Sequence, residues 1–513
     1  MSKMLLRTKK YKVAVVLKII AVVTITMTYV IIGGLSSGKT IHEKNIEKYN
    51  SRNLLNLVEG INCTPAAINE FPDDGFTRNQ RQSGWAILHA CLACYLFILL
   101  AIVCDDYFVP AIKKLCDNLK LKEDIAGATF MATASSSPEL FINCVGTFIT
   151  EGDIGVGTIV GSAVFNVLAV PACCGLFANM VLQLEWWPIT RDSLMYGVAV
   201  LMLIGVLRDG QIECWEAAML VSAYIFYILM MCFNDKVINT IHRIARCCRK
   251  RRNHFKEVMS ETRPLLKENG NCCKTNGNSI SIEDVFDTEL TLKDCEDFEE
   301  STKLWEWPSS YTILGQMFWL VSWPISFVLS ITTPDCRKYP RLYVLTFIMC
   351  IFWIGSTSYM VAWLITVVGD TLNIPDSVMG LTFLAAGTSV PEAVSSVIVT
   401  NQGHGSMGLS SSIGSNTFDI LLCLGLPWLV KTWFYPKVAG DHVIDINSGG
   451  LTYSALSLLS TLVMFYLSLL FNKFKLDWKV GLTCLLMYIG FLSLASLIEL
   501  NTFFPVNLPT CDR

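Results

Sequence analysis

The sequence predicts an all-α polytopic membrane protein, with ten transmembrane helices arranged as two inverted repeats of five helices each. The first observation is composition: the 513 residues are 52% hydrophobic and only 16% charged, and stretches such as 194–207 contain no charge. The second is a sequence pattern that occurs twice, about 250 residues apart. A chain of this composition is not expected to bind nucleic acid.

The repeated pattern places Pro-Glu inside apolar sequence in both halves. Residues 135–139 (Ser-Ser-Ser-Pro-Glu) correspond to 388–392 (Thr-Ser-Val-Pro-Glu), and the same ungapped alignment matches Gly-Ser at 161–162 with Gly-Ser at 414–415. A carboxylate within a membrane segment is costly unless a cation or another partner compensates its charge. Glu139 and Glu392 are therefore candidate functional residues, and their equivalent positions predict one shared ion site.

The N-terminal region is predicted to be exported. Basic residues precede an apolar stretch within residues 1–34, which is typical of a signal peptide or an uncleaved anchor. The polar segment 35–84 then lies on the extracellular or lumenal side. It contains Asn62 in an Asn-Cys-Thr pattern, which is a glycosylation acceptor pattern.

Hydropathy predicts five spans in each half of the chain. The first repeat half, 85–233, contains spans at 85–109, 125–149, 154–181, 194–207 and 213–233. The second, 342–500, contains spans at 342–368, 378–400, 407–430, 451–471 and 480–500.

The distribution of charged residues predicts where the segments outside the repeats lie. Residues 234–312 are polar and open with a basic run, so we predict a largely disordered cytosolic loop. The apolar stretch 313–331 is long enough for an eleventh span, but crossing there would place Arg337, Lys338 and Arg341 outside and give both repeats the same orientation. We therefore predict that 313–341 is interfacial or re-entrant, and that the tail 501–513 is extracellular or lumenal.

The residues around each Pro-Glu pair predict how the site is built. Proline lacks a backbone donor, so Pro138 and Pro391 are predicted to break their helices and to free carbonyl oxygens beside each Glu. Helical spacing places hydroxyl groups on the face of each carboxylate, three and four residues before Glu139 and Glu392: these are Ser135, Ser136, Thr388 and Ser389.

The second helix of each repeat adds polar residues four positions apart. They are Ser162 with Asn166, and Ser415 with Asp419. Hydroxyl, amide, carbonyl and carboxylate oxygens suit hard cations such as calcium or sodium rather than zinc or copper. Three carboxylates supply enough charge for one divalent and one monovalent cation. No cofactor is predicted, and the expected partners are the ions and the lipid bilayer.

Structural roles account better for some of these positions. Gly155, Gly157 and Gly161 are predicted to be close-contact positions between helices. Asn166 fits helix bridging as well as ion binding. Glu139 and Glu392 differ, because a purely structural intramembrane Glu needs a basic partner and the predicted spans contain no Lys or Arg.

Three motifs resemble a known family. Gly-Ser-Ala-Val-Phe-Asn at 161–166, Gly-Ser-Asn-Thr-Phe-Asp at 414–419 and the Pro-Glu cores resemble the alpha-repeats of the cation/calcium exchanger superfamily, and more particularly the potassium-dependent sodium/calcium exchangers. The resemblance covers both five-helix halves. It implies calcium binding between Glu139 and Glu392, with sodium exchanged for calcium plus potassium by alternating access. It also implies potassium coupling at Asp419, where the potassium-dependent branch carries an acid.

Three positions depart from the family pattern. Ala134 stands where Gly is usual, Ser137 where a smaller residue is usual, and Glu392 where the potassium-dependent branch typically has Asp. The extra methylene of Glu moves the carboxylate by about a bond length, in a site where ligand distances decide ion selectivity. The resemblance therefore implies calcium transport more directly than potassium coupling.

Other functions stay open at this point. A potassium-independent sodium/calcium exchanger or a calcium/proton exchanger would use the same carboxylates, and a cation channel would more naturally form a ring from several subunits. An enzyme is disfavoured because the six His have no metal-binding spacing. The membrane is the plasma membrane or an endomembrane compartment such as a Golgi-derived organelle, which an acidic dileucine pattern at 261–266 would favour.

Overall fold

The computed structural model describes residues 67–119, 132–150, 153–177, 182–184, 186–232, 313–337, 339–401, 405–435, 443–446, 448–503 and 507. The predicted signal or anchor segment 1–34, the glycosylation pattern at Asn62 and the loop 234–312 lie outside these residues. So do residues 504–506 and 508–513 of the predicted tail.

The first repeat begins with a long helical run, α1, made of Arg78–Gln80, Arg81–Trp85, Ala86–Ile102, Val103–Phe108 and Val109–Asn118. The second and fourth of these pieces are π-helical turns. The remaining elements are α2 (Ala132–Ser135), α3 (Ser137–Phe148), α4 (Ile154–Val164, Phe165–Ala169 and Val170–Phe177), β1 (Leu182–Gln183), α5 (Trp186–Val206), β2 (Gln211–Glu213) and α6 (Cys214–Cys232).

The second repeat has the same order of elements. After α7 (Ile313–Thr332), it consists of α8 (Tyr343–Leu372), α9 (Asp376–Met379, Gly380–Leu384 and Ala385–Asn401), α10 (Gly405–Phe418, Asp419–Leu424 and Gly425–Phe434), β3 (Val443–Asp445), α11 (Gly450–Phe471), β4 (Lys475–Leu476) and α12 (Trp478–Glu499). Helices of both repeats contribute to one buried apolar core, with Phe165, Tyr196, Phe418 and Phe465 among its largest side chains.

Within the described residues, ten helical runs are long and apolar enough to cross a membrane. They are Arg78–Cys116, Ile154–Phe177, Trp186–Val206, Cys214–Met231, Gly315–Thr332, Tyr343–Leu372, Asp376–Asn401, Ser411–Phe434, Gly450–Phe471 and Trp478–Glu499. The number agrees with the sequence prediction, but one member differs. Gly315–Thr332 is included, whereas the predicted span 125–149 is not, because it is described only from residue 132 onward and its helix Ser137–Phe148 has 12 residues. The interfacial or re-entrant placement of 313–341 stays a prediction.

Two small strand pairs establish that the repeats are inverted. Strand β1 follows the third helix of the first repeat and pairs with β4, which follows the fourth helix of the second repeat. Strand β2 follows the fourth helix of the first repeat and pairs with β3, which follows the third helix of the second. Repeats with the same orientation would pair equivalent loops. The prediction of two inverted five-helix repeats is therefore confirmed.

The strand pairs also give names to the two ends of the helical bundle. The end with β1 and β4 is here called the β1 end, and the end with β2 and β3 the β2 end. Lys473, Lys475 and Lys479 cluster at the β1 end, which the positive-inside rule assigns to the cytosol. The first helices of the two repeats, α1 and α8, run antiparallel between these ends: Arg78 donates to Asn373 at 2.6 Å, and Phe108 stacks on Phe347 with ring centroids 5.4 Å apart.

Glycine residues allow the central helices of the two repeats to touch through their backbones. A Cβ atom at Gly157 would lie 2.7 Å from the carbonyl oxygen of Ser377, and one at Gly161 would overlap the carbonyl oxygen of Leu381. At Gly155 a Cβ would lie 2.5 Å from the side-chain oxygen of Asn143. The predicted close-contact role of these three glycines is confirmed, and it brings α4 directly against α9.

Candidate ion-binding site

The first part of the site is a helix break in the first repeat. Ser136 separates α2 from α3, with φ −95° and ψ 13°, and Pro138 lies in the first turn of α3, where a missing backbone donor costs no hydrogen bond. The predicted break at Pro138 is therefore confirmed. The hydroxyl of Ser137 donates to the carbonyl of Ala134 at 3.0 Å, which is the carbonyl that proline leaves without a helical donor. Glu139 lies in the same first turn, and is only 3% exposed.

The second repeat does not copy this break. Pro391 lies inside the continuous helical piece Ala385–Asn401, so the predicted break at Pro391 is wrong. A proline costs a helix one hydrogen bond and a local clash, and the close packing of α9 against α4 keeps the neighbouring turns helical. The irregular part of α9 lies about two turns earlier, in the π-helical piece Gly380–Leu384.

Both second helices carry their polar residue on a π-helical turn. Asn166 lies in Phe165–Ala169 of α4, and Asp419 begins Asp419–Leu424 of α10. Both residues are 1% exposed. Such turns are rare and are frequent at functional sites, since they redirect side chains and release backbone carbonyls.

Contacts between the repeats bring these side chains together. The Glu139 carboxylate interacts with the hydroxyl of Thr388, and the Glu392 carboxylate interacts with Asn166 and Ser415. Asp419 interacts with Ser136. Each carboxylate therefore lies close to at least one polar side chain of the opposite repeat.

The strongest sign of an ion site is a set of buried oxygen atoms without hydrogen-bond partners. They come from α3 and the residue before it, from α4 and from α9: Ser136 Oγ, Glu139 Oε2, Asn166 Oδ1, Ser389 Oγ and Glu392 Oε2. Buried polar atoms are nearly always hydrogen-bonded, because leaving one unpaired costs about 1–3 kcal/mol. Five such atoms around three carboxylates are arranged to receive cations rather than hydrogen-bond donors.

The carboxylates have no basic partner among the described residues. The ion pairs there involve Arg81, His89 and Arg191, none of which pairs with Glu139, Glu392 or Asp419. No group of three His, Cys, Asp or Glu side chains within the same residues is close enough to hold a metal ion. The donors are thus mixed oxygens spread over two repeats, which suits exchangeable hard cations better than a permanently held transition metal.

Two predicted ligands in the first repeat bond to their own helices. Ser135 is exposed and donates to the carbonyl of Ala132, whereas Glu139 is buried, so the role of Ser135 as an ion ligand stays a prediction. The break at Ser136 resets the helical phase, and a spacing rule does not hold across it. Ser162 is fully buried, and its hydroxyl donates to the carbonyl of Ile159 at 3.1 Å.

Three buried polar residues in and beside the site were missed by the sequence analysis. Asn143, one turn after Glu139, donates to the carbonyl of Cys423 at 2.5 Å, and so links α3 to the π-helical turn of Asp419. Asn416 accepts from the Asn166 amide at 3.1 Å. The repeat alignment could have found Asn416, because its counterpart is the apolar Ala163.

Lys431 is the third missed residue. It follows the predicted span 407–430 directly, but α10 continues to Phe434, so Lys431 is buried, at 6% exposed. Its Nζ donates to the carbonyl of Thr147 at 2.6 Å, at the end of α3. A cation at the carboxyl end of a helix is favourable, and this contact places the Lys431 ammonium group there.

The sequence of this chain is similar to those of known proteins. A family model described as sodium/calcium exchanger protein matches residues 89–233 and 342–497, more than half of the chain. Human "Sodium/potassium/calcium exchanger 5" is 38% identical over 453 residues, which cover 86% of this chain and 89% of that protein. Human "Sodium/potassium/calcium exchanger 4" is 35% identical over 566 residues, covering 91% of this chain and 90% of that protein.

Among solved structures, one similar to this chain is the sodium-calcium exchanger NCX_Mj, soaked with sodium and strontium. The match has 16% identity and a TM-score of 0.42, and it covers 80% of this chain and 98% of the NCX_Mj chain. The resemblance stated from the sequence motifs is confirmed by the family match and by the human relatives. The chain belongs to the sodium/calcium exchanger family, a family of membrane transporters rather than enzymes.

Proposed function

We propose that this protein is an antiporter that exchanges sodium for calcium together with potassium across a membrane, by alternating access to one shared ion site. The observation that carries the proposal is the set of unpaired buried oxygens from both inverted repeats around Glu139, Glu392 and Asp419. The names of the most similar human relatives support sodium, potassium and calcium as the ions.

The site binds cations by replacing their water ligands with protein oxygens. Calcium takes six to eight oxygen ligands, and the hydroxyl, amide and carboxylate groups here supply several from each repeat. Calcium and sodium compete for the same carboxylates, so that loading with one ion displaces the other. Without cations, the buried negative charges have no basic partner in the part of the chain that the structure describes, which disfavours any step that seals them from water.

Inverted repeats allow such a site to open to either side. Glu139 and Glu392 belong to helices that run in opposite directions, so a rearrangement that opens one end has a mirrored counterpart at the other. Exposure differs between the ends. The exposed hydroxyl residues Ser135, Ser395 and Ser411 all lie on the β1 side of the carboxylates of their own helices. Asn143, Thr147 and Lys431 are buried on the β2 side.

This asymmetry supports access from the cytosolic end. Elsewhere the exposed positions of the spans are mostly large and apolar, such as Leu194, Phe226 and Phe352, as expected of surfaces facing lipid. Exposed hydroxyl residues also occur on the outer helices, at Ser222, Ser330 and Ser460. Those of the central helices lie near the carboxylates, where they suit a water-filled passage. In this proposal the described conformation opens inward.

Potassium coupling rests on Asp419. This second carboxylate of the second repeat is buried close enough to Glu139 and Glu392 to interact with both. Three negative charges match one divalent and one monovalent cation better than a divalent cation alone. The compartment, the plasma membrane or an endomembrane, stays a prediction from the sequence.

The test is sodium-gradient-driven calcium uptake by the purified full chain in lipid vesicles, with and without potassium. We expect uptake that requires an outward sodium gradient and increases when potassium is present with calcium. Uptake driven by a pH gradient without sodium would indicate a calcium/proton exchanger instead. Unitary currents in a planar bilayer would indicate a channel, and sodium-driven uptake that is indifferent to potassium would remove the potassium part of the proposal.

A further inference from the structure

A fourth buried carboxylate lies away from the ion site. Glu499 ends α12 at the β2 end of the bundle, and it is 2% exposed. Its Oε2 atom accepts three hydrogen bonds from neutral donors, each 2.8 Å long, from Ser377, Ser448 and Asn507. These donors come from three separate segments: the start of α9, the residues before α11, and the chain after α12.

Close packing against Gly450 fixes the position of the Glu499 carboxylate. A Cβ atom at Gly450 would lie 2.5 Å from Oε1 and 2.6 Å from Cδ of Glu499, so the group occupies the space that any larger residue would need. Oε1 is buried and has no hydrogen-bond partner. It lies against Gly450. The other oxygen, Oε2, is the acceptor for all three donors.

The Ser377 bond connects this acceptor to the ion site. Ser377 lies on α9, fifteen residues before Glu392, which corresponds to about 22 Å along a helix. The carbonyl of Ser377 packs directly on Gly157 of α4, the helix that carries Asn166. The start of α9 is thus held on one side by backbone packing and on the other by Glu499.

The chain after α12 closes the arrangement. Asn507 donates to Glu499 through its amide and accepts from the backbone of Gly450 at 3.2 Å. Its own backbone donates to Asn501 at 2.8 Å. The C-terminal segment therefore holds α11 and α12 together at the point where both meet α9.

We infer that Glu499 is a positioning residue for the ion site: it anchors the β2 end of α9 to α11, α12 and the C-terminal segment, and thereby sets the position of Glu392. The inference rests on the proposed function for the identity of the ions, but the anchor itself can be measured without transport. A rigid supporting contact of this kind is what holds a binding group within a fraction of an ångström of its working geometry.

The sharpest test compares Ser377→Ala with Ser448→Ala. Each variant removes one neutral hydrogen bond of 2.8 Å to the same oxygen, but only Ser377 lies on α9. We expect Ser377→Ala to raise the KM for calcium in sodium-dependent uptake about fivefold, the factor expected from one lost hydrogen bond, while Ser448→Ala changes it less than about twofold. Both should lower Tm similarly. Equal KM values in the two variants, with equal Tm shifts, would reduce Glu499 to a structural contact.

A second test displaces the carboxylate without removing any donor. Gly450→Ala crowds Glu499, whereas Gly490→Ala on α12 places a Cβ where nothing lies within 4 Å. We expect Gly450→Ala to raise the KM for calcium as Ser377→Ala does, and Gly490→Ala to leave it unchanged. A Gly450→Ala protein that folds and keeps the wild-type KM would overturn the inference.

Hydrogen exchange separates this inference from the proposed function. If the wild type carries no sodium-dependent calcium flux, the proposed function fails, but the anchor still predicts faster amide exchange along 376–401 in Ser377→Ala than in Ser448→Ala. The same exchange rates in both variants would refute the anchor, whatever the protein transports.

Discussion

The two repeats share a scaffold but differ in charge. Both place a Pro-Glu pair on one helix and a polar residue on a π-helical turn of the next, and strand pairing shows that they run in opposite directions. The first repeat contributes one carboxylate and an amide, Glu139 and Asn166. The second contributes two carboxylates, Glu392 and Asp419. In the proposed mechanism, the scaffold provides a site that can open to either end, and the unequal charge determines which ions it holds.

The repeats also differ in the surroundings of these groups. Glu139 is fully enclosed at the start of an interrupted helix, whereas Glu392 is half-buried within a continuous one. The second repeat has Asn416 where the first has Ala163, and that extra amide binds Asn166. The inherited symmetry of the backbone is therefore not a symmetry of the chemistry.

The largest effect is expected from removing a charge that the repeats have in common. Glu139→Gln keeps the shape of the side chain but removes one of the negative charges that compensate calcium. We expect sodium-dependent calcium uptake to fall at least about 100-fold, because losing a charged ligand in a buried site costs about 3 kcal/mol or more. Glu213→Gln, which changes an exposed carboxylate outside the site, serves as the control. Near-normal uptake by a folded Glu139→Gln protein would contradict the assignment.

The next largest expected effect is a loss of stability, which should differ between two glycines at equivalent positions of the repeats. A Cβ at Gly161 would overlap the carbonyl of Leu381 and lie 2.6 Å from the Cβ of Ala385, whereas at Gly414 the nearest atom is the Tyr227 hydroxyl at 3.8 Å. Gly161→Ala should therefore destabilise the protein by about 1–3 kcal/mol, and Gly414→Ala by much less. Thermal unfolding in detergent measures both. Equal losses of Tm would mean that the close contact between α4 and α9 is not specific to the first repeat.

Making the second repeat resemble the first tests the role of unequal charge. Asp419→Asn gives both repeats an amide at this position, and leaves two carboxylates in place of three. We expect the potassium requirement to disappear and the KM for calcium to rise about tenfold, the equivalent of about 1.4 kcal/mol. Uptake assayed with and without potassium gives both quantities. If the variant still needs potassium, potassium coupling does not depend on Asp419.

The smallest effect is expected at the amide that only the second repeat has. Asn416→Ala gives the second repeat the residue that the first repeat has at this position. It also removes the hydrogen bond that orients Asn166. A neutral hydrogen bond contributes about 0.5–1.5 kcal/mol, so the KM for calcium should rise about threefold. Asn401→Ala, on the β1 end of α9, changes an amide that bonds its own helix and is the control. An unchanged KM would show that Asn166 is held by other contacts.

The sequence predicted the fold because its signals are periodic and repeated. Two ungapped copies separated by an odd number of spans require inversion, and the strand pairs confirm it. The ends of the spans were predicted less accurately than their number. The predicted span 194–207 begins at Trp186 in the structure, because Arg191 and Asp192 pair at 2.7 Å and allow the helix to continue through two charges.

The sequence predicted which carboxylates form the candidate site, but not how the surrounding groups are arranged in space. Glu139, Glu392 and Asp419 stand out because charge is costly in an apolar span. Packing between the repeats determines the orientation of Ser135, the continuity of α9 through Pro391 and the burial of Lys431. Local sequence spacing does not encode this packing. Glu499 was likewise not recognised, since only the fold brings Ser377, Ser448 and Asn507 to one oxygen.

Calcium binding to the purified protein, measured by calorimetry in sodium-free buffer, tests the central claim of a single site shared by both repeats. The shared site predicts one calcium ion per wild-type chain, displaced by sodium, and none bound tightly in either Glu139→Gln or Glu392→Gln. A protein in which each single variant keeps a calcium ion at wild-type affinity would have two separate sites, and the two carboxylates would not belong together.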